Sequence, residues 1–485
     1  MIFNSYGFIF AFLPLFIILY FFCSKHLSLK ISKIVLVVCS LIFYIFAGYK
    51  CLIVLLCELI INYIFHRLIC AVSNRKYAKL LLTLAIVIDI SVLVLFKYTN
   101  YIIFEANGII GTDWITLNLI VPLGLSFFTF SQISFMVDCY KEQYMSNILD
   151  YLCFSLFFPT IASGPIIFYK ELMEQLNNEK NHVINYDNLF SGLILFTIGL
   201  FKKVFFAKMF GAAADTGYEL LASLDTVNAI VVMLSYTLQI YFDFSAYSDM
   251  AIGVARMYNI ELPMNFNSPY KSLNILEFWD RWHITLTRFF TRYIYIPLGG
   301  SRKGRVRTYI NIFIIFLISG IWHGANITFV IWGTLHGVMM IITRMCKSFA
   351  DKLHPAFNWI VTFLFTNISW IYFRADTRVD AHMMLSKLLL PKFDNINLIL
   401  ADNFNIPEIV IFRKLFNQGF LEAHKCFPMY IMILLGLTIV MCAPNSNEIS
   451  RRMKPGVISI VFVVVLLIWS LISFSGVNSF VYFAF

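Results

Sequence analysis

Long apolar runs recur along this chain from its first residues to its last, and they constrain the fold more than any other feature. A run of about 20 apolar residues can cross the hydrocarbon core of a membrane as an α-helix, which satisfies its own backbone hydrogen bonds in lipid. The chain is 60% hydrophobic and 13% charged, which is too few charges for an ordinary soluble domain. We therefore predict an all-α, polytopic membrane protein.

The apolar runs predict about 11–12 transmembrane helices within a single membrane domain, residues 1–485. We interpret the first run as a span and not as a removable signal peptide, because a basic stretch before it and a small-residue cleavage site after it are missing. The predicted spans are about 8–24, 31–48, 51–66, 80–97, 118–137, 189–206, 228–248, 308–322, 325–343, 357–373, 428–443 and 457–474.

The basic residues lie in short loops between the apolar runs, which is typical of loops on the cytoplasmic side. This pattern explains the net charge of +10 without nucleic acid as a partner. Keeping the basic loops on one side requires the Pro- and Gly-containing segment 154–168 to enter the membrane without crossing it. The same scheme leaves Lys202 and Lys203 on the outer side. It also places the polar segment 374–427 outside, where it either caps a substrate entrance or only connects two helices.

Ten cysteines are scattered, mostly within apolar runs, without the Cys and His spacing of a metal site. We interpret them as buried thiols and predict no bound metal. The sequence also lacks the motifs of serine hydrolases, zinc proteases, phosphate-loop ATPases and dinucleotide-binding folds. These enzyme classes therefore lose support.

Residues 277–292 are dense in polar and aromatic side chains, and ionisable groups at membrane depth generally face a cavity or a partner. If this stretch is one helix, Arg281, Arg288 and Arg292 form a basic stripe, and His283 lies on the opposite face. One face would then bind phosphate while the other lines a pocket. The alternative is a passive interfacial helix whose arginines contact lipid phosphates.

The second polar element is Ser-Gly-Ile-Trp-His-Gly-Ala-Asn at residues 319–326, between two apolar runs. The spacing of Gly320 and Gly324 allows another backbone to approach closely. A tight apolar setting disfavours the charged imidazole, so His323 would stay neutral and able to accept a proton, as a general base must. The alternative is a structural histidine bonded to a neighbouring carbonyl. For His336, thirteen residues on, we favour a structural role.

Two acidic residues, Asp243 and Asp249, lie at the end of the predicted span 228–248. They have three possible roles in a membrane protein: to orient a catalytic group, to bind a transported cation, or to pair with the nearby Arg256. We favour pairing or helix packing.

Several blocks of sequence, in one order along nearly the whole chain, resemble the membrane-bound O-acyltransferase (MBOAT) family. The resemblance is to its bacterial branch, which contains alginate O-acetyltransferase and relatives that acetylate peptidoglycan or D-alanylate teichoic acid. Each block alone is weakly specific, but together they are highly specific. The blocks are residues 3–6, 122–130, 157–165, 241–249, 278–283, 295–300, 322–324 and 370–374.

The resemblance implies that His323 matches the family's invariant histidine and His283 its second characteristic polar position. It implies a central tunnel in which an acyl donor reaches the histidine from the cytoplasm and an acceptor reaches it from outside. We expect no bound cofactor and an acyl thioester donor, with acetyl-CoA favoured. Bacterial members commonly hand the acyl group to an extracytoplasmic transferase, here expected to be of the SGNH-hydrolase type, on the way to a polysaccharide acceptor.

These considerations define a set of candidate residues in a multi-pass protein that we expect in the bacterial cytoplasmic membrane. The rival hypothesis is a transporter or flippase for a lipid-linked saccharide that uses Asp243, Asp249 and the arginines as a polar path. The candidates are His323 and His283 for catalysis; Trp279, Trp282, Trp322, Asn326, Arg288, Arg302, Lys303, Arg305 and Arg307 for substrate binding; and Asp243, Asp249, Gly320 and Gly324 for structure or orientation.

Overall fold

The computed structural model describes residues 1–117, 119–393, 396–406 and 425–474. Helices dominate this part of the chain, and its one β-bridge joins Phe266 to Trp282. The predicted all-α class is confirmed. The buried apolar side chains form one cluster that extends from Phe3 to Val440, so helices from both ends of the chain share a core.

The α-helices of the described residues are numbered here in chain order. They are α1 (Leu13–His26), α2 (Leu29–Ile45), α3 (Tyr49–Ala71), α4 (Arg75–Ile110), α5 (Leu125–Glu142), α6 (Ile148–Ser155), α7 (Phe158–Ile161), α8 (Tyr169–Leu176), α9 (Tyr186–Phe201), α10 (Lys208–Glu219), α11 (Thr226–Met257), α12 (Ile275–Arg281), α13 (Ile284–Phe290), α14 (Arg305–His323), α15 (Ile327–Met345), α16 (Lys347–Ala350), α17 (Pro355–Arg374), α18 (Arg378–Leu389), α19 (Leu398–Asp402), α20 (Phe427–Cys442), α21 (Ser446–Arg452) and α22 (Val457–Ile472).

Eight helices in the described residues are long and apolar enough to cross a membrane, and each coincides with a predicted span. The chain is therefore a multi-pass membrane protein. The other four predicted spans are also helical, as α2, α5, α20 and α22, but they are shorter or more polar, and α20 and α21 form a pair bent by 67°. That these four helices also cross the membrane, and so complete the predicted 11–12 transmembrane helices, stays a prediction.

The segment predicted to enter the membrane without crossing contains only the short helices α6 and α7, followed by irregular backbone up to α8. Its side chains from Tyr151 to Tyr169 are almost all buried. Gly164 packs so tightly that an added Cβ would lie 2.3 Å from the carbonyl oxygen of Pro159. Such irregular backbone is tolerated at membrane depth only where protein surrounds it, as it does here.

Lys202 and Lys203 do not lie in an outer loop, and the placement that the charge pattern gave them is wrong. They lie in a π-helical turn, Lys202–Ala207, that joins α9 to α10 within one span, and both are buried. Buried lysines are paired within the protein and carry no topological signal. This removes the conflict between these lysines and the orientation scheme.

The polar segment predicted at 374–427 contains α18 and α19. Residues 394–395 and 407–424 lie outside the described residues. The two alternatives for this segment, a cap on a substrate entrance or a connection between two helices, therefore fall in part outside the described residues.

Candidate active site

Two helices, α14 and α15, cross closely enough for their backbones to touch just before His323. An added Cβ on Gly320 would lie 2.4 Å from the carbonyl oxygen of Phe329, and one on Gly333 would lie 2.4 Å from that of Phe316. Glycine at these positions therefore permits the close approach that the sequence predicts for Gly320. Gly324 instead meets a side chain, since its added Cβ would lie 2.1 Å from the ring of Phe329.

His323 is the last residue of α14 and is only 4% exposed. Aromatic rings surround its imidazole, with ring centroids 4.7 Å away for Trp322, 5.0 Å for Trp332 and 5.1 Å for Phe373. The ring is therefore enclosed by protein on these sides and does not face lipid. An apolar enclosure of this kind favours the neutral imidazole.

The end of α14 is held by two side chains of α4 that the sequence analysis missed. The Lys97 ammonium donates to the carbonyl of Trp322 at 2.6 Å and to that of His323 at 2.9 Å. The Tyr98 hydroxyl donates to the carbonyl of Ile321. A cation here satisfies carbonyls that have no partner within the helix and interacts favourably with the helix dipole. Lys97 is a charged residue at the end of the predicted span 80–97. A charge in an apolar run is the signal that could have identified it.

His283 lies between α12 and α13 in a left-handed backbone conformation, with φ +46°, and is 1% exposed. Its Nδ1 lies 3.1 Å from Asn265 Oδ1, an oxygen that also accepts from Thr285. Since an amide oxygen can only accept, Nδ1 is the donor. This bond leaves the lone pair of the neutral ring on Nε2. Burial lowers the pKa of His283 below its ordinary value. Asn265 is a third residue that the sequence analysis missed, and no local signal marked it.

Aromatic side chains connect the two histidines. The Phe127 ring lies 6.3 Å from that of His283 and 5.7 Å from that of Trp322, which in turn packs against His323. The structure thus brings together the two histidines that the sequence singled out.

A cavity of about 690 Å³ opens next to His323. Trp322, His323 and Lys97 line its inner end, and residues from the α2–α3 connection and from the loop before α5 line the rest. It is large enough for a substrate of moderate size. His323 is therefore reachable from outside the protein.

A second cavity, of about 650 Å³, lies against the turns of α14 that precede this site. Trp279, Phe316 and Ser319 line it, so one turn of α14 separates it from Trp322 and the first cavity. Its mouth adjoins a third, more polar cavity lined by Arg305, Arg344 and Lys347. Arg344 and Lys347 also line the second cavity and were not among the predicted residues.

The predicted basic stripe on residues 277–292 is wrong, because the stretch is two helices and not one. The chain breaks at Trp282 and His283, where Trp282 pairs with Phe266 and the backbone of Ile284 donates to Asn265. The three arginines then bind carboxylates on separate elements. Arg281 pairs with Glu277 at 2.8 Å, Arg288 with Glu171 at 2.9 Å and Arg292 with Asp138 at 2.9 Å.

The other predicted substrate-binding residues lie in different surroundings. Trp322 and Trp279 each line a cavity, but Trp282 is buried against Trp370 at 5.0 Å. The Asn326 side chain caps α15 by accepting from Thr328 and also donates to the carbonyl of Asp376. Arg302, Lys303, Arg305 and Arg307 are exposed around the start of α14, and of these Arg305 lines the third cavity.

Asp243 and Asp249 form buried ion pairs, but not with the partner that the sequence suggested. Asp243 binds Lys203 at 2.5 Å, and Asp249 binds Lys202 at 2.8 Å. The suggested partner, Arg256, binds Glu261 at 3.2 Å. These two ion pairs join α11 to the preceding span. They fit a structural role better than the open polar path that the transporter hypothesis requires.

His336 is also buried, and it connects three helices. Trp279 donates to its Nδ1 at 3.2 Å, so its Nε2 carries the proton and donates to Ser369 at 3.0 Å. Both ring nitrogens are thus used in packing, in agreement with the structural role that we favoured.

Comparison with known proteins places this arrangement in a family. Residues 123–376 match the model of the MBOAT, membrane-bound O-acyltransferase family. The chain is 40% identical to the peptidoglycan O-acetyltransferase of Helicobacter pylori over 80% of each chain. It is 36% identical to the probable alginate O-acetylase AlgI of Pseudomonas aeruginosa, over 78% of this chain and 72% of that protein.

A more distant similarity is to the teichoic acid D-alanyltransferase of Bacillus subtilis, which is 31% identical over 52% of this chain and 65% of that protein. Residues 123–376, which match the family model, contain both histidines, the close crossing of α14 and α15, and the residues that line the second cavity. The chain belongs to the membrane-bound O-acyltransferase family and is an O-acyltransferase.

Proposed function

We propose that this enzyme transfers an acyl group, with acetyl favoured, from a cytoplasmic thioester to hydroxyls of an extracytoplasmic polysaccharide. The observation that carries the proposal is the position of His323, which lines one cavity and lies about one helical turn from Ser319, which lines a second. The names of the relatives favour peptidoglycan or alginate as the class of acceptor. The bacterial cytoplasmic membrane is the place where such a donor and acceptor lie on opposite sides.

The second cavity suits the donor. It adjoins a polar cavity lined by Arg305, Arg344 and Lys347 and by one carboxylate, Asp351, and this net positive charge matches the phosphates of a coenzyme A thioester such as acetyl-CoA. The second cavity itself, with Trp279 and Phe316, matches the acyl end. Arg344 and Lys347 thus join Arg305, which was already a predicted substrate-binding residue, as the candidate phosphate site in place of the arginine stripe.

In the proposed mechanism, His323 acts as the general base. As the acceptor oxygen bonds to the thioester carbonyl carbon, its proton moves to the imidazole. The tetrahedral intermediate then collapses, the carbon–sulfur bond breaks, and the imidazolium returns the proton to the leaving sulfur. His283, whose ring is held by Asn265, would position the thioester or, in its protonated form, bind the developing oxyanion. An acyl-histidine intermediate is the alternative mechanism, and trapping of acylated protein from labelled donor distinguishes the two.

The acceptor hydroxyl belongs either to the glycan itself or to a separate extracytoplasmic transferase of the SGNH-hydrolase type. The cavity beside His323 leaves room for an extended chain or a loop of a partner protein. Labelled acyl groups that appear on a co-expressed partner before they appear on the glycan would identify the second route. Direct labelling of glycan by the purified enzyme would identify the first.

Mass spectrometry of surface polysaccharides tests the proposal in cells that carry wild-type protein, His323→Ala or His182→Ala. We expect O-acetylation to be lost with His323→Ala and kept with His182→Ala, because His182 is buried against Tyr20 and Leu176 and touches neither cavity. Immunoblots of membrane fractions should show equal amounts of all three proteins. Undiminished acetylation in the His323→Ala cells would refute the proposal.

A further inference from the structure

A second group of buried ionisable side chains lies between α3 and α4, away from both histidines of the active site. Glu58, Asn62 and His66 follow one another at intervals of four residues, so they share one face of α3. Glu58 is 3% exposed, and Asp89 on α4 is 1% exposed.

Asn62 joins the two helices at this point. Its Nδ2 donates to Asp89 Oδ1 at 2.7 Å and to the backbone oxygen of Glu58 at 3.1 Å. In the described part of the chain, nothing donates to either carboxyl oxygen of Glu58 or to Asp89 Oδ2. These oxygens therefore lack the donors that an ionised carboxylate requires.

Positive charge is also missing around this pair in the regions that the structure describes, where neither carboxyl forms an ion pair. His66 Nε2 accepts from the backbone of Ser146 at 3.1 Å, so this nitrogen carries no proton and the ring is neutral. The hydroxyl of Tyr44 donates to the carbonyl of Leu123, and that of Tyr151 lies within hydrogen-bond distance of Leu59 O and Gln132 Oε1, so neither donates to Glu58. The paired Asp243 and Asp249, each beside a lysine, are the contrasting case in the same protein.

Both carboxyl groups lie deep within their spans. Glu58 is nine residues from Tyr49 and thirteen from Ala71, or about 14 Å and 20 Å along the helix. A charge at the centre of a spanning helix costs about 2.5–3.5 kcal/mol on insertion scales, and a second charge beside it adds repulsion. Two neighbouring, unpaired carboxylates are therefore far less stable here than a protonated pair.

We propose that Glu58 and Asp89 form a proton-binding site within the membrane that holds at least one proton at neutral pH. We assign the ligand as a proton because Asn62 donates its NH₂ group to Asp89 Oδ1. The oxygen of the same amide has no donor in the described residues, so a monovalent cation is the alternative that the sodium experiment below decides. The site is independent of the acyl-transfer proposal, since neither carboxyl lines the cavity beside His323 or the donor cavity.

The site lies on the same face of α4 as the lysine that holds the end of α14. Asp89, Leu93 and Lys97 are spaced four residues apart, which puts the proton site about 12 Å from Lys97 along the helix. A bound proton keeps α3 and α4 in contact, because loss of it would place two repelling charges between them. The position of α4, and of Lys97 with it, then depends on the bound proton.

Infrared spectroscopy of the purified protein at neutral pH tests the site directly, because a protonated carboxyl group has its own C=O stretching band. We expect this band in the wild-type protein and its loss in the double variant Glu58→Gln/Asp89→Asn. The matched control is Glu105→Gln, an exposed carboxylate on the same helix, which should keep the band. A wild-type spectrum without the band, or one that the double variant leaves unchanged, would overturn the proposal.

Labelling with dicyclohexylcarbodiimide, which modifies protonated carboxyl groups in apolar surroundings, gives a second test. We expect adducts on Glu58 or Asp89 and none on the lysine-paired Asp243 and Asp249, which act as internal controls. Adducts on the paired aspartates, with none on Glu58 or Asp89, would contradict the proposal. Protection of Glu58 and Asp89 by sodium at constant pH would assign the site to a cation and would also overturn it.

Discussion

Lys97 shows how a single side chain on one helix fixes the catalytic end of another. Its ammonium contacts the last two carbonyls of α14, and the same side chain lines the cavity beside His323. In the described part of the chain it forms no ion pair with a carboxylate. Its charge is therefore stabilised by these carbonyls and by the helix dipole. We infer that Lys97 is a positioning residue that acts through His323.

Lys97→Met is expected to lower kcat by about 10- to 100-fold, because hydrogen bonds to charged groups contribute about 1.5–3 kcal/mol. The donor KM should stay close to wild type, since Lys97 does not line the donor cavity. Lys97→Arg should restore part of kcat by donating to the same carbonyls. Lys76→Met, at the exposed start of α4, is the control. A purely structural role would instead reduce the folded fraction and leave kcat per folded molecule unchanged.

At the scale of elements, the close crossing of α14 and α15 determines where His323 lies. The crossing depends on Gly320 and Gly333, each of which contacts backbone of the other helix. Overpacking a well-packed contact generally costs about 1–3 kcal/mol. A methyl group on Gly320 meets the carbonyl oxygen of Phe329, which belongs to the backbone and cannot rotate away.

Gly320→Ala should therefore lower the thermal unfolding midpoint in detergent and reduce activity, because separation of the helices displaces His323. Gly108→Ala is a matched control within α4, where an added Cβ meets nothing within 4 Å. We expect the control to be as stable as wild type or slightly more stable, since alanine favours helix over glycine. Equal midpoints for Gly320→Ala and wild type would show that the crossing tolerates the methyl group.

Elements that depend on local pattern were predictable from the sequence. Eight spans follow from continuous apolar runs, and the Pro- and Gly-containing segment at 154–168 follows from residues that break helices. The break at His283 did not follow, because residues 277–292 read as one helical stretch. Asn265 and Phe266, which lie far upstream in sequence, impose it.

Pairings between distant parts of the chain were likewise beyond the sequence pattern. Lys202 and Lys203 looked like loop residues, yet they neutralise Asp249 and Asp243 on α11. Lys97 and Asn265 had no role until the fold brought each to a histidine. The histidines themselves were predictable, because a polar side chain in an apolar run is costly and therefore informative.

At the scale of the whole molecule, the described residues line two cavities at neighbouring turns of α14, one at His323 and one on the turns that precede it. Ser319 lines one and Trp322 the other, which are about 4.5 Å apart along the helix axis. A continuous tunnel between them stays a prediction. The polar cavity with Arg305, Arg344 and Lys347 is thus separated from the cavity beside His323, and the proposed transfer would use this separation of donor and acceptor.

The central claim is that His323 moves the proton during acyl transfer. The most direct measurement is thiol release from acetyl-CoA by purified protein in proteoliposomes supplied with acceptor polysaccharide and, if needed, the partner transferase. General base catalysis contributes about 10²- to 10⁴-fold, so His323→Ala should lower kcat by about that factor and leave the donor KM near wild type. Thiol release by His323→Ala at the wild-type rate would contradict the account.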